Sequence, residues 1–163
     1  MGEALGGFSL GDVSLRVDDL RDTRIEAFLQ EHLDDMRGHS PPESVHALDL
    51  EGLRAPDVTF WSAWWRGELI GCVALKRLDA EHVELKSMRT STRLRRRGLG
   101  RFVLDFVAGE ARRRGYRRMS LETGTPAFFE PARALYTSYG FRPCPPFDTY
   151  SPDPFSVFMT LAL

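Results

Sequence analysis

The stretch Arg95-Arg96-Arg97-Gly98-Leu99-Gly100-Arg101 holds the residue types and spacing best suited to gripping an anion. Gly98 and Gly100 have no Cβ, so a ligand can approach the backbone closely. Behind them Leu99, Phe102, Val103, Phe106 and Val107 recur at helical spacing, which places the loop at a helix N-terminus. That end offers unpaired N–H groups and a positive dipole, a cradle for a pyrophosphate. The flanking arginines add charge-assisted hydrogen bonds. The loop is not a nucleotide P-loop, because neither GxxxxGK[ST] nor GxGxxG spacing is present. The plain alternative is a basic, glycine-started helix with no ligand.

The elements that must position this loop follow from periodicity. Residues 1–12 are glycine-rich and read as a flexible leader to a single domain over residues 13–163. Val13, Leu15 and Val17 alternate with polar residues as in a half-buried strand. Thr23 to Glu26 has the pattern of a capping box, opening a helix that carries Ile25, Phe28, Leu29, Leu33 and Met36 on one face. Ser40-Pro-Pro-Glu43 repeats the start signal, which predicts a short second helix with Val45, Leu48 and Leu50. Val58–Trp65 and Leu69–Leu78 form a hairpin around Arg66-Gly67-Glu68, and His82–Arg89 is the next strand. After the long helix from Gly98 to Gly115 come a strand at Arg118–Glu122, a helix at Pro131–Tyr139 and a final strand at Ser156–Leu163. A few more strand residues are expected around Phe141. The order β-α-α-β-β-β-α-β-α-β predicts an α/β (α+β) domain. Its mixed, mostly antiparallel sheet has about six to seven strands, about four flanking helices and one parallel βαβ unit.

Composition narrows the function. The chain has 163 residues, 42% hydrophobic and 28% charged, with a net charge of -1, so bulk charge favours neither nucleic acid nor membrane. The charge is unevenly spread, with an acidic first half and a basic segment over residues 86–118, which suggests a site for an anionic ligand or, alternatively, a solvated basic face. Arg93 to Arg97 with Arg112-Arg113-Arg114 and Arg117-Arg118 also read as a nucleic-acid module. No aromatic residue lies within any of these arginine runs, however, and no helix-turn-helix or zinc pattern accompanies them. Cys72 and Cys144 with His32, His39, His46 and His82 show no metal-ligand spacing, so no metal is expected. Two scattered cysteines, no signal-peptide pattern and no long apolar run point to a cytoplasmic protein.

The loop has company at informative intervals. Arg95-x-x-Gly98-x-Gly100, the strand Glu84-Leu-Lys-Ser-Met-Arg89 before it and Ala132-Arg-Ala-Leu-Tyr136-Thr-Ser-Tyr-Gly140-Phe141 after it resemble three successive motifs of the GNAT N-acetyltransferases. Ser40–Ala47, Phe60–Trp64, Lys86–Thr90 and Leu121-Glu-Thr-Gly124 extend the resemblance to the YsnE-type branch of that family in bacteria. The resemblance implies a GNAT fold, acetyl-CoA as cosubstrate, and transfer of its acetyl group by direct attack of a primary amine of a small molecule or peptide. It leaves open a homodimer and an acyl-CoA sensor without turnover.

It also implies roles. Loop residues Arg95, Arg96, Arg97, Gly98, Leu99, Gly100 and Arg101 would bind the pyrophosphate, and Met88, Arg89 and Thr90 the pantetheine arm. Thr123, Phe129 and Ala132 would lie beside the cofactor, Phe129 standing where the family often has an asparagine. Tyr136 would protonate the departing thiolate, since a phenol with pKa near 10 matches its basicity. Glu84 would be the base, its pKa raised by burial; the alternative is a strand residue paired with Lys86. The acceptor would lie between the first helices and the hairpin, near Glu43, His46, Trp61 and Trp64, where an aromatic face can hold a cationic amine. Trp61 and Trp64 differ by three, so they occupy opposite faces and at least one belongs to the core.

Overall fold

A computed structural model describes residues 6–46 and 49–163. A seven-stranded sheet in the order β1-β2-β3-β4-β5-β7-β6 forms its centre. The strands are β1 Val13–Val17, β2 Val58–Trp65, β3 Glu68–Arg77, β4 His82–Thr90, β5 Arg118–Gly124, β6 Arg142–Pro143 and β7 Ser156–Ala162. The helices are α1 Thr23–Arg37, α2 Leu50–Leu53, α3 Leu99–Arg113 and α4 Glu130–Tyr139. Among the described residues only β4 and β5 pair in parallel, through the α3 crossover, as the helix between two similar strands led one to expect.

Two cores lie on the two faces. Under α3 and α4, Leu99, Val103, Leu104, Val107 and Ala111 pack on Trp61, Val73, Leu75, Val83, Leu85, Met119 and Leu121. Each large aliphatic side chain so buried contributes roughly 1.5–3 kcal/mol. Under α1, Ile25 and Leu29 pack on Phe60, Trp64, Cys72 and Ala74.

Local starts differ in part from the sequence reading. Asp22, not Thr23, caps α1, its carboxylate accepting from the Arg24 N–H. The expected second helix divides into a 3-10 turn at Pro42–Ser44 and the single turn of α2, which Asp49 caps; Leu48 lies outside the described residues. Phe8 and Leu10 pack against the core around Trp65, so residues 8–12 belong to the folded unit instead of forming a free leader.

Two irregularities in β4 prepare the site. Between the Cys72–Arg89 and Ala74–Lys86 pairs, β4 carries one residue more than β3, a bulge at Ser87–Met88 with Ser87 at φ 52. On its other edge, β4 pairs β5 only through His82–Arg118, Val83–Met119 and Glu84–Ser120. Beyond Glu84 the two strands splay, which leaves backbone edges of both open in the middle of the sheet.

Candidate active site

The splay forms a cleft. It encloses about 790 Å3, part of it open to solvent, and is walled by β4 from Glu84 to Met88 and β5 from Leu121 to Gly124. Tyr136 and Ala132 of α4 border it, with Phe129 ahead of them; His32 and Met36 of α1 border it on the opposite side, with Ser44 and His46. Strand alternation explains this double lining. Val83, Leu85, Met119 and Leu121 belong to the core beneath α3 and α4, so Glu84, between the first two, and Glu122, next after Leu121, face the other way. The cleft therefore joins the two faces of the sheet between its parted strands.

Glu84 is 2% exposed and its Oε2 accepts from the Tyr150 hydroxyl at 2.6 Å and Lys86 Nζ at 3.2 Å. Lys86 Nζ also donates to the Tyr150 oxygen at 2.9 Å and the His46 carbonyl at 3.3 Å. The ammonium has three hydrogens and three acceptors. Glu84 thus sits in a buried ion pair, closer to the alternative reading than to a free base. Burial, and after it the Glu84 charge, push the Tyr150 phenol upward, which keeps it a donor.

Glu122 differs. Its Oε1 accepts from Ser156 Oγ at 3.1 Å, and no described side chain donates to its second oxygen. Burial raises its carboxyl to about 7, against the Ser156 hydrogen bond and the Lys86 charge, with Glu84 and Asp153 adding to the rise. Across the cleft, burial pushes Tyr136 up to about 12, and Glu122 adds to the effect. Burial beside the Arg89 guanidinium pushes His32 down to about 4, so that imidazole is neutral.

The anion loop is equally defined. Arg96 and Gly98 both take left-handed φ, at 61 and 80, a turn that is cheap only for glycine. Gly98 is the N-cap of the fifteen-residue α3 and no side chain caps it, so the first amides of that helix are left for a ligand. Arg95, Arg96 and Arg97 are exposed beside them.

The family model for GNAT acetyltransferases matches residues 21–141. The chain belongs to the GNAT acetyltransferase family. It is 54% identical over 149 residues to the uncharacterized N-acetyltransferase YsnE of Bacillus subtilis, covering 91% of this chain and 99% of the relative. A solved Klebsiella pneumoniae structure assigned as an acyl-CoA N-acyltransferase superposes with a TM-score of 0.74 at 27% identity, covering 93% of this chain and 97% of that one. A GNAT acetyltransferase from Elizabethkingia anophelis with acetyl-CoA bound shares the fold, with a TM-score of 0.66 at 18% identity and coverage of 93% and 99%. This chain is accordingly an acetyl-CoA-dependent acyltransferase of the GNAT fold.

The GNAT residues fall into place unevenly. Met88, Thr123, Phe129 and Ala132 line the cleft. Leu99 turns its side chain into the core, which leaves the loop only its backbone, and Arg101 lies over the Tyr139 ring at 5.3 Å. Thr90 closes β4 opposite Gly71, outside the cleft lining. The Arg89 side chain turns from the cofactor side to α1, pairing with Glu31 at 2.9 Å and Asp35 at 3.1 Å. Of the acceptor candidates only His46 lines the cleft. Glu43 is exposed outside it, Trp61 is buried under α3 and Trp64 under α1. Both tryptophans are core because their hairpin runs through the sheet interior, paired on both edges. Sequence reasoning passed over Glu122 and Tyr150. Glu122 had one signal, its alternation out of phase with the core residues of β5, which puts it on the open face; Tyr150 had none, lying in an irregular proline-rich segment. Among the described residues no group of three His, Cys, Asp or Glu side chains is placed to hold a metal ion, and no helix is long and apolar enough to cross a membrane.

Proposed function

We propose that the chain is an N-acetyltransferase that joins the acetyl group of acetyl-CoA to a primary amine by direct attack, with both substrates bound together. The observation that carries this reading is the cleft opened by the β4–β5 splay, because it connects the α4 face, with Tyr136, to the α1 face, with the carboxylates. Two substrates can meet there from opposite sides, so no acyl-enzyme is needed.

The residues present fit acetyl-CoA. The uncapped start of α3 at Gly98, with Arg95, Arg96 and Arg97, would hold the pyrophosphate. The unpaired edge of β4 after Glu84 would take the amide groups of the pantetheine arm. Phe129, lying on Gly124, gives that arm an apolar wall where a hydrogen bond is common in the family. Bound there, acetyl-CoA supplies an activated acetyl thioester.

Tyr136 then acts as the acid. With its pKa raised to about 12, it stays protonated at any working pH and holds a proton for the sulfur. The bulge at Ser87–Met88 interrupts the ladder to β3 and frees backbone amides to polarise the thioester carbonyl.

Calorimetry with acetyl-CoA, followed by thiol release across amino acids, polyamines, aminoglycosides and peptide N-termini, tests the proposal. Micromolar binding and release with at least one amine are expected. Binding without release from any amine would favour a sensor, and salt-sensitive DNA binding without CoA affinity would overturn the reading.

A further inference from the structure

We propose that Glu122, and not Glu84, takes the proton from the acceptor amine, and that the site accordingly accepts amines that arrive as cations. This assignment rests on the acetyl-transfer reading above. Of the other titratable groups lining the cleft, burial pushes His32 of α1 down to about 4, which leaves it a weak base, His46 stands edge-on to the Tyr150 ring at 5.1 Å, and the rest are engaged. On β4, Glu84 accepts from Lys86 and Tyr150, and the three hydrogens of Lys86 go to Glu84, Tyr150 and the His46 carbonyl. In the segment between β6 and β7, the Tyr150 hydroxyl donates to Glu84, and Asp153 accepts from Ser44 Oγ at 2.7 Å. On α4, Tyr136 is the donor to sulfur. On β7, Ser156 donates to one Glu122 oxygen, leaving the other to the cleft.

The charges set the acceptor class. Among the described charges acting on Glu122, Glu84 and Asp153 are negative and Lys86 alone is positive, so an ionised Glu122 makes this side of the cleft net negative and suited to an ammonium. Glu122 titrates at about 7, so near neutrality much of it is ionised and still basic enough to deprotonate an amine held against it.

The proton count closes. The bound ammonium gives one proton to Glu122, which passes it to solvent. The free nitrogen lone pair forms the N–C bond, the C–S bond breaks, and Tyr136 protonates the departing sulfur. The second nitrogen proton restores the Tyr136 phenol. One proton is released for each amide formed.

The test is the pH dependence of kcat/KM for Glu122→Gln and Glu122→Asp. Each variant is assayed with an alkylamine and with an arylamine that is neutral above pH 6. For the wild type and the alkylamine, the rate should rise with pH through about 7, because the carboxylate is the active form. Glu122→Gln should lose that limb and about 10²-fold in rate with the alkylamine, but far less with the arylamine, which needs no deprotonation. Glu122→Asp should restore part of the rate, and acetyl-CoA affinity should stay within about twofold in both variants. Carbon-13 NMR of the free protein gives a readout independent of turnover: the Glu122 carboxyl should titrate near 7. An unchanged limb in Glu122→Gln, equal losses with both amines, or titration in the ordinary carboxylate range would overturn the assignment. A wild type that acetylates no amine would remove the acetyl-transfer reading itself, whatever the NMR titration gives.

Discussion

Glu84 and Ser120 are the last residues that β4 and β5 hold in parallel register, and from the next position the strands part. The parting puts Glu84 at the apex of the cleft, with Lys86 and Glu122 just inside it on the same face. An apex carboxylate is packed on every side, which is why it is ion-paired, whereas Glu122, two residues beyond Ser120, reaches open space. The geometry that admits the substrates thus also separates a structural carboxylate from a chemical one.

Tyr136→Phe should lower kcat by about 10²-fold and leave acetyl-CoA affinity nearly unchanged, because it removes a proton and no packing. The ring is 9% exposed and packs edge-on to Phe141 at 5.7 Å, contacts that a phenylalanine keeps. Single-turnover thiol release beside calorimetry separates the two effects. An unchanged rate would take Tyr136 out of the chemistry.

The anion loop should tolerate neither bulk nor negative charge. At Gly98, φ is 80 and an added Cβ would stand 3.4 Å from Leu10, so Gly98→Glu strains the turn as well as repelling a phosphate. Loss of acetyl-CoA binding in calorimetry, with circular dichroism unchanged, is the expected result; retained affinity would place the pyrophosphate elsewhere.

Two other glycines should differ in what alanine costs. A Cβ at Gly100 would lie 2.8 Å from the flexible end of Leu135, which can rotate away, so Gly100→Ala should cost under about 1 kcal/mol. At Gly124 the Cβ would lie 2.3 Å from the Phe129 ring, with two more ring atoms within 2.8 Å. Gly124→Ala must therefore move the cleft wall, and it should cost about 1–3 kcal/mol in urea titrations and weaken acetyl-CoA binding. Equal effects at the two sites would show that Phe129 yields as readily as Leu135.

Much of this was legible beforehand because it rests on local pattern. The βαβ unit, the glycine turn at Gly98 and the α4 segment ending at Gly140 depend on neighbours within a few positions. The acceptor side does not. Tyr150 meets Glu84 across 66 positions, and Ser44 meets Asp153 across 109, through a segment with no periodicity. Trp61 and Trp64 misled for a related reason. Their type suits amine binding, but type does not reveal that their strand is central, and a central strand buries both of its faces.

Breaking the Glu84 pair should be expensive. Lys86→Met leaves a carboxylate that is 2% exposed with only the Tyr150 hydroxyl beside it, and losing one partner of a buried pair costs about 3–5 kcal/mol. Glu84→Gln combined with Lys86→Met removes both charges and should recover a large part of that loss. A double-mutant cycle by urea denaturation measures the coupling; additive losses would mean the two charges do not sense each other.

Glu122 makes the opposite prediction for stability. Its folded pKa, about 7, lies above the ordinary 4.5, so between those values the folded state holds more of the proton than the unfolded chain does. Stability from this group is full below about 4.5 and is lost as pH rises through about 7, where a partly buried carboxylate must carry its charge. Glu122→Gln has no such slope and keeps an acceptor for Ser156. Relative to the wild type it should therefore gain about 1–3 kcal/mol between pH 5 and pH 8.5, which in a domain of this size raises the difference in Tm by roughly 3–10 °C. Scanning calorimetry at both pH values reads this directly, with a pH-independent difference as the result that would refute it. The same substitution is expected to slow acetyl transfer, because the charge that destabilises the cleft above neutral pH is the base that the amine requires.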